Sequence, residues 1–195
     1  MLEIRKGTAT KNYENTFFRE FANNLKKMFE KYLLDGLLIA NSECEADKRL
    51  QIDALLVTEK VVLIIDFKNF GGKITLPKNA KSEFDFGKWT NESGEQIKGG
   101  SSINPFIQLK TQKERFIKVV EEQILTKLSH GDSFNAFHTV RAVCFQKPIE
   151  LIGKIPSNEE LNFLIFDKST YLETINDIID ISDKEVSLSI NSFDL

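Results

Sequence analysis

Two charged residues stand at the end of the most apolar stretch of the sequence. Residues 61–72 are VVLIIDFKNFGG, in which Asp66 and Lys68 are separated only by Phe67. Because side chains alternate along a strand, Asp66 and Lys68 are expected on one face and Phe67 on the other. A buried Asp or Lys is costly unless it is paired or bound to a ligand. An ion pair that caps the strand end is the simple explanation, and a catalytic pair is the alternative.

A second carboxylate, Asp53, interrupts the apolar residues of the preceding segment, QIDALLV. The short connection between the two segments predicts an antiparallel hairpin, which places the start of one strand beside the end of the other. Asp53 is therefore expected close to Asp66 and Lys68. Neighbouring carboxylates repel, so one must be protonated or a cation must lie between them. Oxygen ligands of this kind suit a divalent ion, and we expect Mg²⁺ or Mn²⁺.

These residue types are suited to phosphodiester hydrolysis. A divalent ion held by two carboxylates neutralises phosphate charge and lowers the pKa of an attacking water. An ammonium group beside that water would orient it or stabilise the charge that develops in the transition state. A structural ion-pair cluster in an unrelated α/β fold remains the alternative.

The elements around this hairpin form the pattern of one α/β domain. Apolar residues at spacings of three and four predict an amphipathic helix over residues 13–34, with Asn12 as its N-cap and Gly36 as its stop. LLIANSEC is a strand or an irregular link. GGKITLP is interpreted as the third strand of the same meander, and EFDFGKWTN as a fourth, peripheral strand.

The second half of the chain is predicted to alternate between helix and strand. Asn104 and Pro105 begin a helix that continues to Gly131. FHTVRAVCFQ and LNFLIFD predict strands. STYLETINDII begins a helix with a Ser/Thr–Glu capping arrangement, and SDKEVSLSINSF is interpreted as a short final helix, so that closing helices occupy 168–195.

Taken in order, these stretches resemble the nuclease-related domain (NERD) family of the PD-(D/E)xK nuclease superfamily. The motifs that carry the resemblance are Glu14 with Phe17, Phe18 and Phe21, QID at 51–53, IIDFKNFGGKI at 64–74, Trp89 in GKWT, and NPFIQ at 104–108. The likeness covers roughly residues 12–170. It implies a restriction-endonuclease-like α/β (α+β) core, in which helices flank a central mixed sheet with an antiparallel meander. We expect residues 1–195 to form a single domain of this kind.

The resemblance also implies roles for individual residues. The catalytic residues that it implies are Asp53, Asp66, Lys68, Glu14 and Gln108, and the metal ligands are Asp53, Asp66, the backbone carbonyl of Phe67 and Glu14. Glu14 would reach the site from the first helix, and Glu20 is the alternative helix acid. The chain departs from the commoner family pattern at Asp66, where Glu is more usual.

Basic and aromatic residues other than the implied catalytic residues and metal ligands are candidates for nucleic-acid contacts. Lys110 and Lys113, with Arg115 and Lys118, form a candidate basic ridge on the helix that carries Gln108, and Trp89 is a candidate for stacking on a base. Lys78, Lys81, Lys88 and Lys98 are further candidates for a phosphate path. The alternative for the lysines is a solvated surface, and for Trp89 a packing role. His130 and His138 lack metal-ligand spacing and are interpreted as structural.

Composition limits the classes of function. With 26 basic and 29 acidic residues the net charge is −3, which excludes a polycationic nucleic-acid coat protein but not an enzyme with a local basic face. Cys44 and Cys144 are interpreted as free thiols. The sequence indicates neither a signal peptide nor a membrane association, and we expect a cytoplasmic protein.

The function expected from the residues and the resemblance together is Mg²⁺-dependent hydrolysis of DNA. DNA is the expected partner, with fusion to or association with a helicase or other DNA-processing module, and with homodimer formation as a further expectation. The alternative function is a non-catalytic nucleic-acid-binding or protein-interaction module on a nuclease scaffold.

Overall fold

The structure is a computed structural model that describes residues 1–6, 12–77, 81–183 and 186–187. Within these ranges, the side chains of residues 6, 12–15, 43, 81–83 and 186–187 lie outside the description. None of the helices in the described ranges combines the length and the apolar character that crossing a membrane requires.

The elements alternate between strands and helices along the chain. The strands are β1 (Leu2–Lys6), β2 (Gly36–Glu43), β3 (Gln51–Thr58), β4 (Val62–Lys68), β5 (Gly72–Thr75), β6 (Trp89–Asn91), β7 (Gln96–Ile97), β8 (Ser133–Phe134), β9 (Val140–Phe145), β10 (Ile149–Ile152), β11 (Phe163–Asp167) and β12 (Val186–Ser187). The α-helices are α1 (Asn12–Tyr32), α2 (Lys81–Phe86), α3 (Pro105–Val119) and α4 (Tyr171–Ile181).

A central mixed sheet of six strands organises the fold, in the order β1-β2-β3-β4-β9-β11. The pairs β2–β3 and β3–β4 are antiparallel, whereas β1–β2, β4–β9 and β9–β11 are parallel. Helices α1 and α4 pack on one face and α3 on the other. The predicted mixed sheet with an antiparallel meander and flanking helices is therefore confirmed.

The membership of the meander differs from the prediction. LLIANSEC supplies its first strand, β2, and the GGKITLP segment leaves the sheet to pair with β10 and β6 in a second, smaller sheet. The two glycines explain the departure. Gly72 has a φ of +72°, and a Cβ on Gly71 would lie 2.7 Å from the Cβ of Lys147. The chain therefore turns closely against residues 147–148, and β9 takes the vacated edge of β4.

The EFDFGKWTN segment is also not the single strand that was predicted. It forms helix α2 followed by the short strand β6. Phe84 and Trp89 are both fully buried and their ring centroids are 6.2 Å apart. Residues five apart in one strand would face opposite sides, so the helical turn brings both rings into the same core.

The ends of the chain's later helices show three further differences. Helix α3 ends at Val119 and is followed by a π-turn, Val120–Ile124, and a 3₁₀ turn, Leu125–Lys127. Helix α4 forms as predicted, but its N-cap residue Thr170 makes no side-chain capping bond. The predicted final helix is wrong at Val186–Ser187, which pair with β8 as β12. The rest of that segment lies outside the described residues.

Candidate active site at the strand fork

The hairpin ladder between β3 and β4 ends before the strands do. Its last pair is Ala54 with Ile65, and the same register would next place Asp53 opposite Asp66. Beyond that pair, the backbone N–H of Phe67 donates to Oδ2 of Asp53 at 2.8 Å. A carboxylate thus occupies the place of a backbone acceptor. We call the opening beyond Ala54 and Ile65 the strand fork.

The main chain of Phe67 faces this opening. The carbonyl of Lys68 accepts from the N–H of Gln146 at 2.9 Å, so it points towards the β9 side. Backbone carbonyls of consecutive strand residues point to opposite edges, and the N–H and C=O of one residue share an edge. The carbonyl of Phe67 therefore points towards β3 and Asp53. The ring of Phe67 lies on the opposite face of the sheet. Its centroid is 5.2 Å from that of Phe17 and 5.3 Å from that of Phe21.

Asp66 and Lys68 form a buried pair at the fork. The Nζ of Lys68 lies 3.1 Å from Oδ1 and 2.8 Å from Oδ2 of Asp66, and the side chains are 11% and 6% exposed respectively. Only the Oδ1 contact has hydrogen-bond geometry, so Oδ2 is buried with an electrostatic contact but no hydrogen bond among the described residues. The ion pair expected as the simple explanation is present, and Oδ2 keeps acceptor capacity for a ligand.

Helix α3 brings Gln108 to the same place. Asn104 caps the helix by accepting from the N–H of Ile107 at 2.9 Å, and its Nδ2 donates to the carbonyl of Gly87 at 2.8 Å. This fixes the helix start, and Gln108 follows in the first turn. Its Oε1 lies 3.4 Å from Nζ of Lys68. The structure therefore brings together Asp53, Asp66, Lys68 and Gln108, as the sequence predicted for their positions.

Burial and neighbouring charges shift the protonation of Asp66 at the fork. Burial raises the pKa of Asp66, while Lys68, Asp53 and Gln108 lower it without offsetting the burial. Two carboxylates that lie within hydrogen-bond reach share a proton or a cation. The oxygen donors of Asp53, Asp66 and the Phe67 carbonyl suit Mg²⁺, which commonly binds one or two carboxylates and several waters. In the part of the chain that the structure describes, no group of three or more His, Cys, Asp and Glu residues has metal-binding geometry.

The raised pKa of Asp66 predicts a specific pH dependence. The folded metal-free protein binds the proton more tightly than the unfolded chain, so its free energy of unfolding should fall as the pH rises from 3.8 through the higher folded value. Affinity for Mn²⁺ should rise over the same window, because the ion needs the carboxylate. Calorimetric titration at a series of pH values measures the affinity for Mn²⁺. Asp66→Asn should remove both dependences, and a pH-independent affinity in the wild type would contradict the prediction.

The structure describes the backbone of Glu14, the third predicted acid, but not its side chain. Glu14 lies in α1 one turn before Phe17, whose ring packs on Phe67. The alternative acid, Glu20, pairs with Nζ of Lys168 at 2.9 Å on the exposed surface. Glu20 is thus engaged away from Asp53 and Asp66, and Glu14 stays the predicted helix acid.

The predicted base contact of Trp89 is wrong. Trp89 is fully buried, and its ring lies 6.1 Å from that of Phe163 in the core between α3 and the sheets. A base cannot stack on a ring without exposed surface. Packing against Phe84 and Phe163 accounts for the residue.

The basic ridge of α3 is present but largely paired with acids. Arg115 contacts Asp47 at 2.8 Å, Lys118 contacts Glu122 at 3.8 Å, and Lys110 contacts Asp85 at 3.9 Å. Burial, followed by the charge of Arg141, lowers the pKa of Lys113 to about 8, and Glu159 opposes the shift. Of the other lysines, Lys88 and Lys98 are exposed, Lys78 lies outside the described residues, and so does the side chain of Lys81. His130 and His138 lie on the surface.

Gly99 allows the loop before α3 to pack on Gln108. A Cβ at Gly99 would lie 2.3 Å from the carbonyl oxygen of Asn104 and 2.6 Å from Cβ of Gln108. Gly99→Ala should therefore destabilise the protein by about 1–3 kcal/mol and displace Gln108. Urea denaturation measures the loss. Gly100→Ala is the control for the displacement of Gln108, which should not move because the added Cβ would meet only its Nε2 at 3.9 Å, although the positive φ alone should cost about 1–2 kcal/mol. Equal stability of Gly99→Ala and the wild type would contradict this packing.

Sequence reasoning missed two residues near the fork, Asp47 and Gln112. Both contact partners that are far away in the sequence, Arg115 and the Arg49 carbonyl. No local pattern distinguishes Asp47 from the other charges of EADKR.

The chain matches a known protein family. The family model described as nuclease-related domain matches residues 10–145. This range includes all four residues that converge at the strand fork. Neither a curated protein nor a solved structure matches the chain.

Proposed function

Because this chain belongs to the nuclease-related domain family, we propose that it is a divalent-metal-dependent nuclease that hydrolyses phosphodiester bonds in DNA. The observation that supports the proposal is the convergence of Asp53, Asp66 and Lys68 at the strand fork, with Gln108 beside them. Two carboxylates, a backbone carbonyl and one ammonium group provide the ligands and the positive charge that this hydrolysis needs.

The metal ligands in this proposal are Asp53, Asp66 and the carbonyl of Phe67, and Glu14 is the proposed further ligand. When bound, Mg²⁺ or Mn²⁺ acts as a Lewis acid on the phosphate and lowers the pKa of a water molecule. Asp66 must lose its proton for this role, which occurs above its raised pKa. Asp53 accepts from the N–H of Phe67 and so holds the main chain of this residue beside the fork, the edge to which its carbonyl also points.

Lys68 acts on the water and the phosphate. Its Nζ lies between Asp66 Oδ1 at 3.1 Å and Gln108 Oε1 at 3.4 Å, which leaves a third N–H for the attacking water or a phosphate oxygen. The water oxygen forms a bond to phosphorus as the bond to the leaving oxygen breaks. The proton that the water loses and the proton that the leaving alkoxide gains balance, so the products are a phosphate monoester and a hydroxyl. Gln108 keeps the ammonium in place by accepting one N–H.

A cleavage assay tests the proposal. The purified chain is incubated with linear double-stranded, circular and single-stranded DNA, with Mg²⁺, with Mn²⁺ and with a chelator. Metal-dependent loss of at least one substrate is expected, and a parallel RNA substrate separates DNA from RNA specificity. Failure to cleave any of these substrates in either metal, by protein shown to be folded, would exclude the nuclease.

The second candidate is a binding module without catalysis. The observation that favours it is the close pairing of Asp66 with Lys68, since an ammonium at 2.8 Å neutralises the carboxylate without a metal. In that case Mn²⁺ does not bind even when DNA is present, and Asp53→Asn leaves DNA binding unchanged. Calorimetry with Mn²⁺ separates the two candidates directly.

A further inference from the structure

The loop that precedes β3 is attached to α3 by two side chains. Nη1 of Arg115 donates to Oδ2 of Asp47 at 2.8 Å, and Nε2 of Gln112 donates to the carbonyl of Arg49 at 3.4 Å. The side chains of Asp47 and Arg115 are only 21% and 24% exposed. Their ion pair is thus partly shielded from water, in contrast to an exposed surface pair of little energetic value.

Asp47 also determines the shape of this loop. Its Oδ1 accepts from the N–H of Arg49 at 3.0 Å, and its carbonyl accepts from the N–H of Leu50 at 2.8 Å. The hydrogen bonds from Arg49 and then from Arg115 lower the pKa of Asp47, so the pair is ionised at neutral pH. Leu50 is buried and leads directly into β3. Pairing with β2 holds the start of β3 on one side, through Gln51 and Ile52, and Asp47 holds the loop before it on the side of α3.

One face of α3 consequently contacts both sides of the strand fork. Residues 108, 112 and 115 are separated by four and three positions and lie on the same face of the helix. Gln108 contacts Lys68 on β4, whereas Gln112 and Arg115 contact the loop before β3. The backbone ladder between the two strands ends at Ala54 and Ile65. Beyond that pair β3 remains paired with β2, and the contacts between β3 and β4 are the Phe67–Asp53 hydrogen bond and the contacts through α3.

We propose that Arg115 and Gln112 are positioning residues that set the distance between Asp53 and the Asp66–Lys68 pair. Arg115 thus serves the site through Asp47, and not as a contact for the phosphate backbone of DNA. Only the effect of this positioning on catalysis rests on the proposed nuclease function. The positioning itself is a property of the metal-free protein and can be measured without activity.

The hydrogen bond from Phe67 N–H to Asp53 reports on this positioning. If the loop before β3 shifts, Asp53 moves away from the Phe67 peptide, and the amide proton of Phe67 exchanges faster with solvent. We expect Arg115→Gln and Asp47→Asn each to speed exchange of this proton by about 10-fold or more relative to the amide of Val143 in β9. Asp47→Asn retains an acceptor for Arg49 and removes only the charge. Arg115→Lys should restore most of the protection.

If the effects of the two substitutions on exchange of the Phe67 amide are not additive, the Asp47–Arg115 ion pair is the cause of the acceleration. The double variant Asp47→Asn/Arg115→Gln should exchange no faster than the single variants, because both remove the same contact. Lys118→Gln is the matched control, since Lys118 lies on the same helix and its exposed partner is Glu122 in the following π-turn, not a residue of the loop. Gln112→Met, which keeps the side-chain length without the amide, should show a smaller acceleration of the same proton.

Three outcomes decide the proposal. Unchanged protection of Phe67 in both Asp47→Asn and Arg115→Gln overturns it. Equal acceleration of Phe67 and Val143 also overturns it, because the effect is then a general loss of stability. Selective acceleration at Phe67 supports it, and Mn²⁺ affinity should then fall by about 10–100-fold, as for other outer-shell partners of a metal site. Absence of Mn²⁺ binding in the wild type would refute the proposed function and leave the exchange result to judge positioning alone.

Discussion

Lys68→Met should lower the rate of DNA cleavage by about 10²–10⁴-fold while the protein stays folded. Methionine keeps the length and the apolar stem of the side chain but loses the ammonium group that lies between Asp66 and Gln108. The pKa of Asp66 should rise further, because the charge of Lys68 is the largest contribution that opposes the effect of burial. Single-turnover cleavage at saturating Mn²⁺ and at alkaline pH separates this loss of charge from weaker metal binding.

The control for Lys68→Met is Lys127→Met, the same substitution at an exposed lysine after α3. It should cleave at the wild-type rate. A Lys68→Met protein that cleaves as fast as the wild type under saturating metal would remove Lys68 from the mechanism. Cleavage would then depend on the carboxylates alone.

Asp53→Asn should weaken Mn²⁺ binding strongly, since a direct ligand loses its charge. The loss should exceed the factor of about 10–100 that is typical for residues that only support a metal ligand. The stability of the metal-free protein should change by only about 1 kcal/mol. The asparagine oxygen can still accept from the N–H of Phe67, so the hydrogen bond across the strand fork is kept. Calorimetry measures the first effect and urea denaturation the second.

Asp177→Asn on the exposed surface of α4 is the matched control for Asp53→Asn. It should bind Mn²⁺ as the wild type does. Unaltered Mn²⁺ affinity in Asp53→Asn would show that the ion, if bound, is not held at the strand fork.

Local patterns were sufficient to predict the positions at the strand fork. The short connection between β3 and β4 determines an antiparallel register, and the alternation of side chains then places Asp53, Asp66 and Lys68 on the face that α3 covers. Asn104 followed by Pro105 predicts the start of α3, and the family resemblance implies that Gln108 extends from this helix towards the site. Each of these inferences depends on residues that are close in sequence, and the family resemblance adds the expected chemistry.

The remaining differences arise from contacts between distant segments. The double glycine at 71–72 was interpreted as the start of another meander strand, but only the close approach of Lys147 shows that the chain turns away there. Trp89 was offered as a base contact because its neighbours are polar, whereas Phe163 buries its ring. The Asp47–Arg115 pair joins residues 68 positions apart, which no single-sequence pattern indicates.

The orientation of the Phe67 peptide has a consequence for mutational scanning. Its ring packs on Phe17 and Phe21 on one face of the sheet, while its N–H and carbonyl face Asp53 at the fork. Alanine scanning would score this position by its ring alone, and a tolerated substitution would be misinterpreted as evidence that the position is functionally silent. Atomic replacement in the main chain, such as an amide-to-ester exchange introduced by chemical ligation, addresses the part of this residue that side-chain variants leave intact.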